Sequence, residues 1–165
     1  MLEQLVVALE RDDTVEVQNL VDQIDDIPHY ILGSAVGRLR VDLVKILAPK
    51  CSPHALYMGL NRSIMAPFVP PPVRLQLVTA LLPHTNQIQR DQALADACCM
   101  SNDVLVDLLY PLCNLQEVLK LLRHHKGPGV ELRKDALRER INSEKLRATL
   151  NEHITTLAQT VQRKM

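Results

Sequence analysis

Tryptophan is absent, and Tyr30, Tyr57, Phe68 and Tyr110 make up the aromatic set. The chain therefore offers few flat rings on which bases or sugars could stack. An excess of either charge is lacking too: 19 Lys and Arg balance 19 Asp and Glu over 165 residues. General binding to nucleic acid or to a membrane surface normally draws on a basic surplus, so this balance argues against both. No apolar run approaches the roughly 18 residues of a membrane span, and the opening MLEQLVVALERDD lacks a basic stretch ahead of an apolar one. The expectation is a soluble, cytoplasmic chain with no membrane partner.

Cysteine is present but not in the patterns that carry chemistry. Cys98 and Cys99 are adjacent and would close a strained ring if bridged, so the four cysteines, with Cys51 and Cys113, read as small buried thiols of a reducing compartment. Cys51 and His54 have a C-x-x-H spacing, yet no second ligand pair follows within reach, which argues against zinc. Strand signals are equally scarce: alternating β-branched runs and Asn-Gly or Asp-Gly turns are missing.

What the chain does contain is a length suited to one domain, a 47% hydrophobic fraction ample for a core, and short helical pieces separated by Pro, Asn, Asp and His. Three of these align without gaps: VDLVKILAPKCS at 41–52, LQLVTALLPHTN at 75–86 and DVLVDLLYPLCN at 103–114. They share Leu43/Leu77/Leu105, Val44/Val78/Val106, Leu47/Leu81/Leu109 and Pro49/Pro83/Pro111, and each ends in a small polar pair. The leucines and valines fall on one side of a helix, and the proline is expected to stop each copy at one register. A second helix precedes each: Ile31-Leu32-x-x-Ala35 before Val44, Ala93-Leu94-x-x-Ala97 before Val106, and Ala8-Leu9 before Leu20-Val21 at the same offset. Ala55-Leu56-x-x-Gly59 opens another copy, with ten extra residues before Leu77-Val78. A small residue at the last position lets neighbouring helices approach closely.

Each unit is thus a helix–turn–helix that cannot bury its apolar side alone, and stacking supplies the missing cover. The expected fold is all-α, a helix-turn-helix repeat solenoid. A four-helix bundle would want longer helices and does not account for a proline recurring at one register.

The A-L-x-x-A/G … L-V-x-x-L-x-P pattern resembles ankyrin repeats, in a divergent bacterial form whose second helix ends in Leu-Leu-Pro. Other two-helix solenoids share the same logic. The resemblance covers about residues 5–115 and implies about four degenerate helix pairs over 1–115. The Thr-Pro-Leu-His opening and the Gly-His turn of ankyrin are missing, and the Pro-to-Pro steps are 34 and 28, so short or irregular loops are expected. It also suggests a bacterial cytoplasmic adaptor or an effector delivered into a host cell's cytoplasm.

After Asn114 the pattern changes. LQEVLKLLRHH reads as one more amphipathic helix broken by KGPG, and a charged helical capping segment fills 116–165. Asn142-Ser143-Glu144 marks a break or a new helix start in that segment. Residues 1–26 carry eight acids and only Arg11, while residues 120–165 carry eleven Lys and Arg against five acids. Two solvated caps of opposite sign explain this; head-to-tail attraction between them would give weak self-association of an otherwise monomeric chain.

No nucleophile elbow, P-loop, dinucleotide turn or HExxH motif occurs, so neither an enzyme, a cofactor nor a bound metal is expected. His29, His54 and His84 sit in inter-repeat turns, where hydrogen bonding is their expected role, and His124-His125 suits a helix end. Asp12-Asp13 and Asp25-Asp26 suit helix starts and turns, where capping is reason enough. The segment NRSIMAPFVPPPVR is not explained by repetition. Pro67, Pro70, Pro71 and Pro72 favour a stiff PPII excursion, the alternative being a loop that folds back with Met65, Phe68 and Val69 over neighbouring helices.

The expected function is a non-catalytic protein–protein interaction module with a protein partner on the concave face. By the ankyrin resemblance its contact residues would be Ser34, Tyr57, Met58 and Asp96, with His54 and Gln92 at helix starts, and Phe68 from the inserted segment. Tyr57 and Met58 are the expected anchors. The alternative is a nucleic-acid-associated accessory protein using the basic stretch from Arg133 to Arg147.

Overall fold

The computed structural model describes residues 1–162, which form ten α-helices and no strand. They are α1 (Leu2–Glu10), α2 (Thr14–Val21), α3 (His29–Gly37), α4 (Val41–Leu47), α5 (Pro53–Met65), α6 (Pro71–Leu81), α7 (Gln87–Cys99), α8 (Asp103–Leu109), α9 (Leu115–Leu121) and α10 (Pro128–Gln162). Five of them (α2, α5, α7, α8 and α9) begin behind a residue whose side chain takes up an orphan N–H of the first turn. Glu16 N donates to Asp13 Oδ1 (3.0 Å) and Leu105 N to Asn102 Oδ1 (3.2 Å). At α7 a reciprocal pair forms, Gln89 N to Asn86 Oδ1 (3.0 Å) and Asn86 N to Gln89 Oε1 (2.8 Å).

Three intra-pair turns are built alike. Asp12, Leu39 and Ser101 take φ of 56°, 60° and 55°, and the next residue's N–H bonds back to Ala8, Ala35 and Ala97 (3.0, 3.1 and 3.1 Å). These turns hold the place where a Gly-His turn was missing, and they are regular although no glycine supplies the left-handed position. Arg40 binds the first of them to its own: its guanidinium pairs with Asp12 and with Asp42. That contact holds the Asp42 carboxyl down at about 2 and raises the pKa of Arg40.

Pro49, Pro83 and Pro111 also share one setting. Each is the second residue of a three-residue 3-10 turn that follows the second helix of a pair, and an extended residue (Cys51, Thr85, Cys113) comes next. The prolines therefore tighten the last turn rather than cutting the helix off, because a 3-10 turn can proceed without the proline N–H. A turn of the same kind, Leu122–His124, follows α9 with Arg123 in the proline's place.

The core is one continuous cluster running from Leu5 in α1 to Leu137 in α10. It includes the repeated positions Leu43/Leu77/Leu105, Val44/Val78 and Leu47/Leu81/Leu109, and the first-helix residues Ile31, Leu32, Ala35, Leu94 and Ala97. Val106 is only partly buried, packing against the edge of the cluster. Helix α3 packs on α5, α5 on α7, and α7 on α9; separately, α2 packs on α4 and α4 on α6. Gly59 is the close point between α3 and α5: a Cβ there would lie 2.8 Å from Leu32 Cδ2.

The inserted segment departs from the expected excursion. Residues 61–65 prolong α5, Ala66 and Val69 are buried, and Pro71 and Pro72 start α6 behind Pro70. Prolines fit a first helical turn because its N–H groups have no intrahelical partner. Arg74 closes the loop by donating to the carbonyls of Ala66 (2.9 Å) and Val69 (3.0 Å). Of the three side chains expected to cover neighbours, Val69 does, while Met65 and Phe68 are exposed.

Helix α10 runs without a break at Asn142, since Ser143 Oγ bonds back to Glu139 O (2.9 Å) instead of capping a new start. The helix packs on α7 and α9. Val130, Lys134 and Leu137 are buried in that contact, whereas the side chains of residues 142–152 are exposed.

Candidate functional site

Helix α5 shows which of its sides is left over after packing. Ala55, Leu56, Gly59, Leu60, Ser63 and Ile64 are buried, while His54, Met58, Arg62 and Met65 are exposed. The exposed four recur at helical spacing, so they form one ridge. Beside that ridge runs α3, which presents His29, Tyr30 and Gly33. Between the two helices lies an open groove of about 550 Å³ lined by His29, Tyr30, Gly33, Met58, Asn61, Arg62, Met65 and Ala66.

Three large apolar side chains line this groove while half in water: Tyr30 is 53% exposed, Met58 40% and Met65 39%. Isolated exposed apolar residues need no explanation, but three on one groove mark a surface suited to contact. Phe68, 55% exposed, stands just beyond the Ala66 end. At the other end the rings of His29 and His54 meet edge to face, 5.5 Å between centroids. These histidines thus make a ring contact at the first turns of α3 and α5.

The expected contact residues are not brought together as one set. Met58 lies in the groove. Ser34 is exposed but on the side of α3 turned from α5. Tyr57 is half-buried and shares the flank of α5 that carries Asn61. Asn61 reaches the next first helix: its Nδ2 donates to Asp96 Oδ2 (3.0 Å), while Gln92 Nε2 donates to Asp96 Oδ1 (3.0 Å). Asp96 therefore joins α7 to α5 through Asn61, and Gln92 steadies it from within α7, both half-buried in that seam. Tyr30, Asn61, Arg62 and Met65 were missed. The signal for two of them, Arg62 and Met65, lay in the helical spacing His54/Met58/Arg62/Met65, which continues through a segment that reads as an interruption.

A second tie lies one pair further along. The buried Asp91 carboxylate accepts from Gln87 Nε2 (2.8 Å) and from Asn114 N (2.7 Å), fastening α7 to the turn before α9. Cysteine thiols are drawn into similar work: Cys113 Sγ–H donates to Arg90 O (3.2 Å). Burial pushes the thiols of Cys51 and Cys113 up to about 12 and that of Cys98 to about 11, well away from nucleophilic range. Among the described residues no group of three His, Cys, Asp or Glu side chains is placed to hold a metal ion. Likewise none of the described helices is long and apolar enough to cross a membrane.

The basic stretch of α10 is largely occupied within the fold. Arg133 pairs with Asp103 and donates to Ser101 Oγ (3.2 Å). Lys134 is buried, donating to His125 O (2.6 Å) and Glu131 (2.8 Å). Arg138 pairs with Asp135, and the Arg140 guanidinium lies 3.7 Å over the Tyr110 ring. Only Lys145 and Arg147 of this stretch carry no such contact among the described residues. A phosphate backbone would thus meet few available cations here. Compared with known proteins, the chain matches no family model, no curated protein and no solved structure.

Proposed function

We propose that the chain is a non-catalytic protein-binding module, a stack of degenerate ankyrin-like helix pairs that receives a protein partner on the face of its first helices. The repeated left-handed turns at Asp12, Leu39 and Ser101 and the repeated proline turns support the stack. So does the packing of the first helices α3, α5 and α7 in series, and of the second helices α2, α4 and α6. Four pairs, α1–α2 to α7–α8, then occupy residues 1–115, with α9 and α10 as the cap. The observation that carries the binding role is the α3–α5 groove, where Tyr30, Met58 and Met65 stay exposed at its walls.

A groove of comparable size between the second helices α4 and α6 is the competing surface. It is lined by Val41, Asp42, Lys45, Leu75, Gln76, Thr79 and Ala80. Its Val41 and Leu75 are more covered, and its Asp42 is already paired with Arg40, so it offers less to a partner.

The test is a quantitative affinity capture from native extract with wild type, Met58→Glu and, as the α4–α6 control, Gln76→Glu. The reading expects a captured protein to be lost with Met58→Glu and kept with Gln76→Glu, the thermal midpoints of both variants staying within about 2 °C of wild type. Capture unaffected by Met58→Glu, or lost only with Gln76→Glu, would move the site to the other face.

A further inference from the structure

Arg62 is the one Arg, Lys, Asp or Glu side chain lining the groove. Its guanidinium lies along α3: Nη2 is 2.9 Å from where a Cβ on Gly37 would stand, and Nη1 is 3.8 Å from the same point on Gly33. Glycine inside a helix costs about 1 kcal/mol relative to alanine; α3 carries Gly33 in its interior and ends on Gly37, one turn on, and both lie beside the guanidinium. The room they leave settles the cation between the apolar ends of the groove. Yet the guanidinium makes no hydrogen bond or ion pair among the described residues. Helices α3 and α5 carry no carboxylate of their own, and Asp96 of α7 accepts from Asn61 and Gln92.

Resting on the protein-binding reading above, we infer that the partner segment is an amphipathic helix carrying a carboxylate side chain between two apolar anchors, and that Arg62 receives that carboxylate. The spacing is read from the groove itself. Met58 with Tyr30 forms one apolar end, Met65 the other, about 10 Å along α5 from residue to residue, and Arg62 lies between them. A helix laid along the groove meets these with apolar residues at i and i+7 and Asp or Glu at i+3 or i+4. A planar guanidinium already in place offers paired donors to such a carboxylate in a fixed geometry. Charge complementarity selects this occupant over an all-apolar helix, which would leave the cation stranded against its side, and over a basic one, which would repel it.

The experiment selects a displayed library of alanine-based helical peptides on the full chain and, in parallel, on Arg62→Ala. Leucines are fixed at i and i+7 and the positions between them are randomised. Asp or Glu at i+3 or i+4 is expected to enrich about tenfold more on wild type than on Arg62→Ala, a ratio equivalent to about 1.4 kcal/mol. The enriched peptides are expected to be released by Met58→Asp. Peptides that bind in a Met58-dependent way without a central acid would overturn the carboxylate inference and leave the protein-binding reading standing. An acid enriched equally on both proteins would overturn it as well, as would the absence of any enriched peptide, since the binding reading is judged separately by the capture experiment.

Discussion

Two glycine-to-alanine substitutions on neighbouring helices should shift stability in opposite directions. At Gly33 an added Cβ meets only Arg62 Nη1, at 3.8 Å, an ordinary contact with the end of a long side chain. The substitution keeps the helix gain of about 0.5–1 kcal/mol that alanine brings over glycine. At Gly59 the same gain applies, but the Cβ would lie 2.8 Å from Leu32 Cδ2 and 3.3 Å from its Cγ. Leu32 is fully buried in the core, so overpacking costs roughly 1–3 kcal/mol. The net at Gly59 is a loss of about 1 kcal/mol, which separates the two variants by about 2 kcal/mol. For a chain of this length that is a gap of roughly 4–8 °C in thermal midpoint. Circular dichroism melts of both variants at one pH and concentration measure it. Equal stabilisation by both substitutions would refute the close approach of α3 to α5, and with it the mutual cover on which the stacking argument rests.

Removing the Arg40 partner by Asp42→Asn should cost about 1 kcal/mol at neutral pH, a figure reduced for the exposure of the pair. Because the Asp42 carboxyl is held at about 2 in the fold, below its ordinary 3.8, the pair stabilises above the ordinary value and ceases to as pH falls towards 2. Wild-type and Asp42→Asn melts should therefore converge between pH 4 and pH 2; a gap that widens on acidification would contradict this assignment. Asp91→Ala removes the buried carboxylate on which the Asn114 N–H and the exposed Gln87 amide converge. It should cost about 2 kcal/mol, with hydrogen exchange accelerated first at residues 112–118; an unchanged urea midpoint would rule that tie out. Met58→Ala should leave the midpoint nearly unchanged, whereas the half-buried Tyr57 should lose about 1 kcal/mol on truncation to alanine; the same melts separate the two.

Much of the helical layout was legible because apolar spacing and punctuation agreed. Leu43-Val44, Leu77-Val78 and Leu105-Val106 mark a shared core edge, and the prolines mark a shared register, so the short helices up to α9 follow from the pattern, whereas Asn142-Ser143-Glu144 did not reveal that α10 runs on. The turns were less legible: Asp12, Leu39 and Ser101 adopt the left-handed conformation without glycine, because flanking helices and the hydrogen bonds to Ala8, Ala35 and Ala97 hold it. Pro70-Pro71-Pro72 misled because consecutive prolines suit both an extended excursion and a helix start, and only packing decides. The candidate groove was half legible. Met58 follows from the exposed positions of one helix, but Tyr30 and Arg62 acquire meaning only when α3 lies beside α5, a relation between elements that local spacing does not encode. Gln92 and Asp96 look available in sequence, yet Asp96 is engaged by Asn61, 35 positions away, and by Gln92 one turn before it.

Hydrogen exchange of the chain alone and with its captured partner bears on the central claim most directly. If the partner lies along the first helices, protection gained on binding falls within residues 29–37 and 53–65, and α4, α6 and the distal half of α10 stay as they were. Protection concentrated on 41–47 and 71–81, or on α10 beyond residue 142, would place the partner elsewhere and contradict the account.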